Sequence, residues 1–364
     1  MAKRITFVLP GSSGAPAGGP RIVYEYANRL ASKGHRVTVI HSPVTRIDPD
    51  WRMLAKAAIR YPQRVLDKSF RPDAWMTVHP SVSVRWLPTL SGRFVPDADI
   101  VIATAWMTAE WVAKYGENKG KKFYFIQHYE DWDGPASRVE ATWKLPLKKI
   151  VIAQWLWKIA ERLGQAASIV PNAIDTGKFY CIADPKVRNP SHIAMLYHKH
   201  EWKGCQDGLA ALRSVKEAVP ELTAELFGVP NRPNELPGWI VYHQNPPQEE
   251  LRAIYNRAAI YLAPSWAEGF ALPPMEAAAC GAALVATDIG GFKEFAEHEF
   301  NALLAPVKSP EKLAENLLEL IKNKDRRVNL ACNGKDRALQ FNWDESVARF
   351  ESVLLNQLQE CTTN

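Results

Sequence analysis

The sequence predicts an α/β protein of two Rossmann-like halves, each a parallel sheet flanked by helices. Three observations carry this expectation. The chain has 364 residues, more than one hydrophobic core usually organises, so two domains are expected. Short β-branched or aromatic runs alternate with segments of helical spacing, as in a helix-covered parallel sheet. The alternation then restarts after "SIVPNAIDTGKFY", which places a hinge near residues 171–190.

In the first half the strand candidates are "RITFVL", "HRVTVIH", "ADIVIAT", "KKFYFIQ" and "KIVIAQ". In the second they are "HIAMLYH", "TAELFG", "WIVYH", "IYLAPS", "ALVAT" and "NALLAP". Three helical segments close the chain: "SPEKLAENLLELIKN", with Ser309 or Pro310 placed to start it, "DRRVNLACNGKDRALQ" and "WDESVARFESVLLNQLQ". The expected division is 1–172, 173–342 and a terminal helical segment 343–364.

Composition narrows the class. Hydrophobic residues make up 47% and charged residues 23%, which excludes disordered, collagen-like and membrane-spanning compositions. The opening "MAKRITFVLPGSSG" breaks at Pro10, too early for the apolar region of a secretion signal. The five cysteines are scattered without a Cys-x-x-Cys pair, pointing to a reducing cytoplasm rather than to disulfides or a zinc site. Residues 1–170 carry 25 Lys and Arg against 14 Asp and Glu, and the remainder 20 against 25. The halves are thus +11 and −5, which suits a basic surface facing lipid headgroups, phosphates or an acidic polymer, or else reflects surface composition alone. No nucleic-acid partner is expected.

After the first strand comes "LPGSSGAPAGGPRIVYEYANRLASKGHRVTVIH". A dinucleotide site would need G-x-G-x-x-G here and an acidic residue at the end of the second strand, where His41 and Ser42 stand instead. Gly18 and Gly19 can still offer bare backbone amides to a phosphate or a sugar hydroxyl at a helix start, or simply form a tight turn. Three Asp-x-Asp pairs, at 48–50, 97–99 and 131–133, are candidates for a divalent metal on a sugar diphosphate. Asp48 and Asp50 flank a proline, Asp97 and Asp99 fit a turn, and only Asp131 with Asp133 follows the carboxyl end of an expected strand; with three competing candidates, no metal is assigned.

"SWAEGFALPPMEAAACG", residues 265–281, follows an apolar strand, where open α/β sheets bind ligands. Pro273 and Pro274 suit a first helical turn, which puts Glu276 near the amino end of a helix and Glu268 in the loop before it. A carboxylate accepts two hydrogen bonds side by side and so fits vicinal hydroxyls, while a helix amino end favours phosphate.

E-x7-E within "EGFALPPMEAAACGAALVAT", followed by "DIGGFKE", resembles the donor-site signature of retaining glycosyltransferases of family 4, which have the GT-B fold. "GGPRIVYEYANRLASKGHRVTVI", "VPNAID" and "WKGCQDGLAAL" resemble the same family in the same order. The resemblance implies two domains facing each other across a cleft, with the terminal helix returning to the first domain. It implies that Glu276 binds the ribose and Glu268 the donor sugar, beside the backbone amides of Gly269, Phe270 and Ala271. It gives Lys203 to the diphosphate, Gly19 to the diphosphate from the first domain, and His128 in "FIQHYED" to the neighbourhood of the transferred sugar. Asn172 and Asp175 are expected to close the hinge loop. No cofactor is implied beyond a nucleotide-diphosphate sugar as co-substrate, and the acceptor would be a glycan or a lipid-linked glycoconjugate, with surface-polysaccharide assembly as the setting.

The family's arginine before the phosphate lysine is missing from "LYHKHEWKG"; His198, Lys199 or His200 can take its place. Ala271 and Ala173 stand where glycines are customary. A hydrogen-bonded strand-end histidine is the plain alternative for His128, and a solvated lysine for Lys203. At the level of function, the alternatives are a GT-B nucleotide-sugar epimerase and a non-catalytic nucleotide-sugar-binding protein.

One more feature stands apart from these motifs. In "WRMLAKAAIRYPQRVLDKSF", Arg52, Lys56, Arg60, Arg64 and Lys68 recur every four residues among Trp51, Leu54, Ile59, Val65, Leu66 and Phe70. Pro62 predicts two short helices rather than one. Peripheral contact of residues 51–70 with the inner face of a membrane, or with a lipid-linked acceptor, is expected from this pattern, an ordinary exposed face being the alternative.

Overall fold

A computed structural model describes residues 2–12, 14, 18–130 and 134–359. Its contacts divide the chain into two units, residues up to Pro171 together with those from Asp344 onward, and Asn172–Trp343. Asp131, Asp133 and Cys361 lie outside the described residues.

The first unit begins with β1 (Arg4–Val8), α1 (Gly18–Ser32), β2 (Arg36–His41), α2 (Trp51–Asp67), β3 (Ser83–Trp86) and β4 (Ile100–Ala103). It continues with α3 (Trp106–Ala113), β5 (Lys121–Ile126), α4 (Ala136–Trp143), β6 (Lys148–Val151), α5 (Gln154–Arg162) and β7 (Ala167–Ile169). Among the described residues these strands form one seven-stranded sheet in the order β3-β2-β1-β4-β5-β6-β7. Every pairing is parallel. The order reverses between β1 and β4, so a crevice opens beyond their carboxyl ends.

The second unit contains β8 (His192–Leu196), α6 (Cys205–Ala218), β9 (Thr223–Gly228), β10 (Ile240–Gln244), α7 (Gln248–Arg257) and β11 (Ile260–Ala263). Then follow α8 (Leu272–Ala279), β12 (Ala283–Thr287), β13 (Ala302–Ala305), α9 (Pro310–Lys322) and α10 (Lys324–Leu339). Its described strands form a six-stranded sheet, β10-β9-β8-β11-β12-β13, again parallel throughout. Here the reversal falls between β8 and β11. Leu226, Leu262 and Val285 pack under Leu212, Val215 and Leu317 as its core.

The last helix, α11 (Trp343–Gln359), belongs mostly to the first unit. Phe350 stacks on Tyr26 with centroids 4.2 Å apart and meets Phe125 edge-on at 5.2 Å. The Ser346 hydroxyl is shared between the Tyr26 hydroxyl and the Pro171 carbonyl, both at 2.6 Å. Glu351 binds Lys33 at 2.5 Å and His35 at 2.9 Å.

Two sequence expectations need correction. Residues 51–67 form one uninterrupted helix despite Pro62, with Asp50 capping it through the Met53 amide at 2.7 Å. Of this helix only Ala57 is buried. The carbonyl of Ala58 that Pro62 leaves without a helical partner therefore lies on an exposed residue that water can reach, and the usual penalty is softened. Strands β3 and β7 were not anticipated; four and three residues long, at the two edges of the sheet, they lack the apolar runs of buried strands.

Candidate functional site

The site of the second unit is built on the two strands between which its sheet order reverses. Beyond β8, residues Glu201–Lys203 make one turn of 3-10 helix that ends at Gly204, whose φ is 59°. A side chain there would put its Cβ 2.0 Å from the Pro264 carbonyl oxygen, so only glycine permits this approach. The approach brings the two loops together. The Trp266 amide donates to the Trp202 carbonyl at 2.7 Å, and the Trp266 indole N–H to Asp207 Oδ2 at 2.7 Å.

Lys203 and Glu268 meet in consequence. The Lys203 ammonium donates to both carboxylate oxygens of Glu268, at 2.7 and 2.8 Å. The Ser265 hydroxyl adds a third hydrogen bond to Oε1 at 2.8 Å, and the Thr287 hydroxyl holds the Ser265 carbonyl in turn. Gly291, in the loop after β12, packs so closely that an added Cβ would lie 2.4 Å from the Glu268 carbonyl oxygen. The carboxylate is thus fixed from three directions, with the lysine side chain 21% and the glutamate 14% exposed. In this state each charge neutralises the other.

Glu276 lies one turn into α8 and is 2% exposed. The Tyr255 hydroxyl donates to its Oε2 at 3.4 Å. Pro273 and Pro274 occupy the first turn of α8 as expected, so amide donors at this end come from the residues before them. Gly269, Phe270 and Ala271 form that stretch. The Phe270 ring is buried and meets Phe341 edge-on at 5.6 Å, which leaves only its backbone for a ligand. Ala271 sits in the left-handed region, φ 61° and ψ 77°, which costs a non-glycine residue roughly 1–2 kcal/mol. Ala271→Gly relieves that cost and adds back some unfolded-state freedom, so the variant is expected to gain about 0.5–1 kcal/mol in urea unfolding. Loss of stability in that titration would contradict this reading of the turn.

The candidate replacements for the missing arginine form a ladder of rings. His198 stacks with His200 at 4.5 Å, and His200 with Trp202 at 4.1 Å, nearly parallel. Burial first, then the neighbouring His200 and Lys203, push His198 down to about 4, so its imidazole is neutral at pH 7. Lys199 and His200 are exposed.

In the first unit Gly18 and Gly19 open α1, and the Gly19 carbonyl accepts from the Gln127 amide at 3.2 Å. His128, the next residue, has its Nδ1 accepting the Tyr129 N–H at 2.8 Å and its ring edge-on to Trp155 at 5.5 Å. An accepting Nδ1 leaves the neutral ring's proton on Nε2. Gly19 and His128 thus lie together beyond β1 and β5. Nearby, a cavity of about 120 Å³ is lined by Pro10, Gly11, Tyr24, His41, Phe70 and Trp75, among others. His41 is tied at both ring nitrogens, to the Tyr24 hydroxyl at 2.7 Å and to the Gly11 carbonyl. Burial pushes it down to about 4, so the end of β2 carries a neutral ring rather than a charge for a ribose.

Two Asp-x-Asp pairs are spent on protein contacts. Asp97 binds Lys119 at 2.7 Å and Asp99 binds Arg4 at 2.8 Å. Asp48 binds Arg138 at 2.6 Å, and Asp50 is the cap of α2. In the hinge loop Asp175 accepts the Gly177 amide at 3.1 Å, while Asn172 is buried with no described hydrogen bond to its Oδ1.

A family match falls on these same elements. Residues 200–337, which hold Lys203, Glu268 and Glu276, match the family model of Glycosyl transferases group 1. An uncharacterized glycosyltransferase of Methanocaldococcus jannaschii, MJ1178, is 34% identical over 29% of this chain and 30% of its own length. A D-inositol 3-phosphate glycosyltransferase of Thermobispora bispora is 31% identical over 31% of this chain and 26% of its own. The O-antigen biosynthesis protein RfbC of Myxococcus xanthus is 27% identical over 72% of this chain and 21% of its own. The chain spans less than a third of the length of these curated relatives. Among solved structures, sucrose-phosphate synthase of Thermosynechococcus elongatus superposes with a TM-score of 0.73 at 16% identity, over 99% of this chain and 100% of that one. Anabaena Alr3699/HepE, solved with UDP and glucose, gives 0.73 at 16%, over 97% and 100%. The fold is two parallel-sheet α/β domains, and its structural neighbours are GT-B glycosyltransferases.

Proposed function

We propose that the protein is a retaining, metal-independent glycosyltransferase of family 4 that moves a sugar from a nucleotide-diphosphate sugar to a glycan or lipid-linked acceptor. The observation that carries this reading is the meeting of Lys203 and Glu268, 65 residues apart, where the second sheet reverses its order. A lysine, a carboxylate held by Ser265, and a second carboxylate in α8 supply the charges that a diphosphate, a sugar and a ribose require.

In this reading the donor's diphosphate competes for the Lys203 ammonium and leaves Glu268 to accept from the sugar hydroxyls. Glu276, assisted by the Tyr255 hydroxyl, accepts from the vicinal hydroxyls of the ribose. The backbone of Gly269, Phe270 and Ala271 is assigned to the donor sugar in this reading. As the bond from the anomeric carbon to the phosphate oxygen breaks, negative charge builds on the leaving diphosphate, and a cation already aimed at it lowers the barrier. The acceptor hydroxyl forms the new bond on the same face and its proton passes to the departing phosphate oxygen. The resemblance also assigns Gly19 to the diphosphate and His128 to the neighbourhood of the transferred sugar; both belong to the first unit, beyond β1 and β5. In this reading the acceptor is taken by the first unit, and the apolar cavity beside His41 supports that assignment.

The test is to incubate the protein with UDP-, GDP-, ADP- and dTDP-sugars and follow each by proton NMR. The expected result is slow release of one nucleoside diphosphate, with the freed sugar first appearing in the donor's anomeric configuration. Release with the opposite configuration, or conversion to an isomeric nucleotide sugar without release, would overturn the reading.

A further inference from the structure

Helix α2 has its apolar stripe on the wrong side for a helix that packs on its own domain. Positions 53, 57, 61 and 64 recur at spacings of four, four and three, which places them on one face. This face turns inward: Ala57 is buried, and Met53, Tyr61 and Arg64 are half-buried. Arg64 is held there by the Ser12 carbonyl at 3.2 Å and by the Trp86 ring, 5.2 Å away. Positions 51, 55, 59, 62 and 66 recur at four, four, three and four and make up the opposite, outward face. They are Trp51, Ala55, Ile59, Pro62 and Leu66, all exposed; Trp51 is 73%, Ile59 70% and Leu66 83% exposed. Leu54 and Val65 widen the stripe.

Bases line one edge of this stripe. Arg52, Lys56 and Arg60 each follow a stripe residue by one position, so they project beside it, and all three are exposed. Among the described residues no carboxylate pairs with any of them; Arg52 instead lies 5.5 Å from the Trp51 ring centroid. A solvated helix would carry charges on its outward face, and a helix that joins two protein cores would not line its edge with unpaired cations.

We propose that α2 lies in the interface of an anionic lipid bilayer, its outward stripe among the acyl boundary and Arg52, Lys56 and Arg60 among the headgroup phosphates. Charge complementarity selects lipid as the occupant: a row of cations flanking an apolar face matches a plane of phosphates over hydrocarbon. Seventeen helical residues extend about 25 Å along that plane. No described helix is long and apolar enough to cross a membrane, so the contact is lateral. This inference rests on α2 alone and stands apart from the proposed reaction.

The test is co-sedimentation with vesicles of equal phosphatidylcholine and phosphatidylglycerol, against vesicles of phosphatidylcholine alone. The protein is expected to pellet with the anionic vesicles and to be released as salt is raised. The doubly substituted Ile59→Asp, Leu66→Asp protein is expected to bind at least about a hundredfold more weakly, since each residue would lose the burial of an aliphatic side chain, roughly 1.5 kcal/mol or more apiece. Arg52→Gln, Lys56→Gln, Arg60→Gln together are expected to weaken binding about a hundredfold, at roughly 1 kcal/mol per base. These side chains are exposed, so circular dichroism should be unchanged. The proposal is overturned if the wild type stays in the supernatant, or if either variant with intact circular dichroism pellets as well as the wild type. It is also overturned if the stripe governs only self-association, read by light scattering without vesicles.

Discussion

Lys203→Ala is expected to lower turnover of the nucleotide sugar by about a hundred- to a thousandfold, the usual cost of one preorganised donor aimed at developing charge. The effect should fall on chemistry rather than on folding. The lysine is in a loop turn, its ammonium bound to one carboxylate and not to the core, and the pair remains partly exposed. His198 cannot substitute at neutral pH, because its burial, the largest cause of its lowered pKa, persists without the lysine and keeps it uncharged. Lys203→Arg should restore part of the rate, since a guanidinium keeps the charge but changes the geometry of its donors. Turnover within about threefold of wild type for Lys203→Ala, on the scale where tenfold is 1.36 kcal/mol, would remove the lysine from the reaction.

Arg188→Met is expected to destabilise the second unit by about 2–4 kcal/mol, because it leaves several buried carbonyls without a donor, at roughly 1–3 kcal/mol for each that water cannot reach. Arg188 is 6% exposed and its guanidinium donates only to neutral groups. Nη1 reaches the Tyr255 and Ala258 carbonyls at 3.2 and 2.9 Å; Nη2 reaches those of Ala183 and Cys280 at 2.8 and 2.5 Å. It thereby closes the carboxyl ends of α7 and α8, where a cation is favoured. Those helices carry Tyr255 and Glu276. Urea unfolding measures the loss, and donor affinity measured under conditions where the variant is folded should also fall. A change below about 1 kcal/mol would mean that water takes over these carbonyls.

Much of the fold could be read from the chain because its central strands are continuous apolar runs. "IYLA", "ALVA" and "IVIA" are buried at every position, as strands covered by helices on both faces are. β3 and β7 escaped notice because edge strands need no such run. Pro62 predicted a break that does not occur, because α2 presents most of its surface outward and the carbonyl that the proline leaves without a partner is open to water.

The spacing of Glu268 and Glu276 was legible, being local to one loop and one helix. The pairing of Lys203 with Glu268 was not, since the sequence assigned the two to different parts of a ligand and nothing local joins them. Ser265, Tyr255 and Arg188 were missed for a related reason. Apart from the nearby Ala183, Arg188 finds its carbonyl partners 67, 70 and 92 residues away, and the sheet order brings them near. Ala271 is intermediate: its place among customary glycines hinted at the left-handed backbone that the structure shows.

The most direct measurement is isothermal titration of UDP, GDP, ADP and dTDP into the wild type, Lys203→Ala and Glu276→Ala. The account predicts that one diphosphate binds the wild type clearly better than the other three, and that each variant, with circular dichroism unchanged, binds it at least tenfold more weakly, about 1.4 kcal/mol. Equal binding by all three proteins, or no binding of any diphosphate to the wild type, would contradict it.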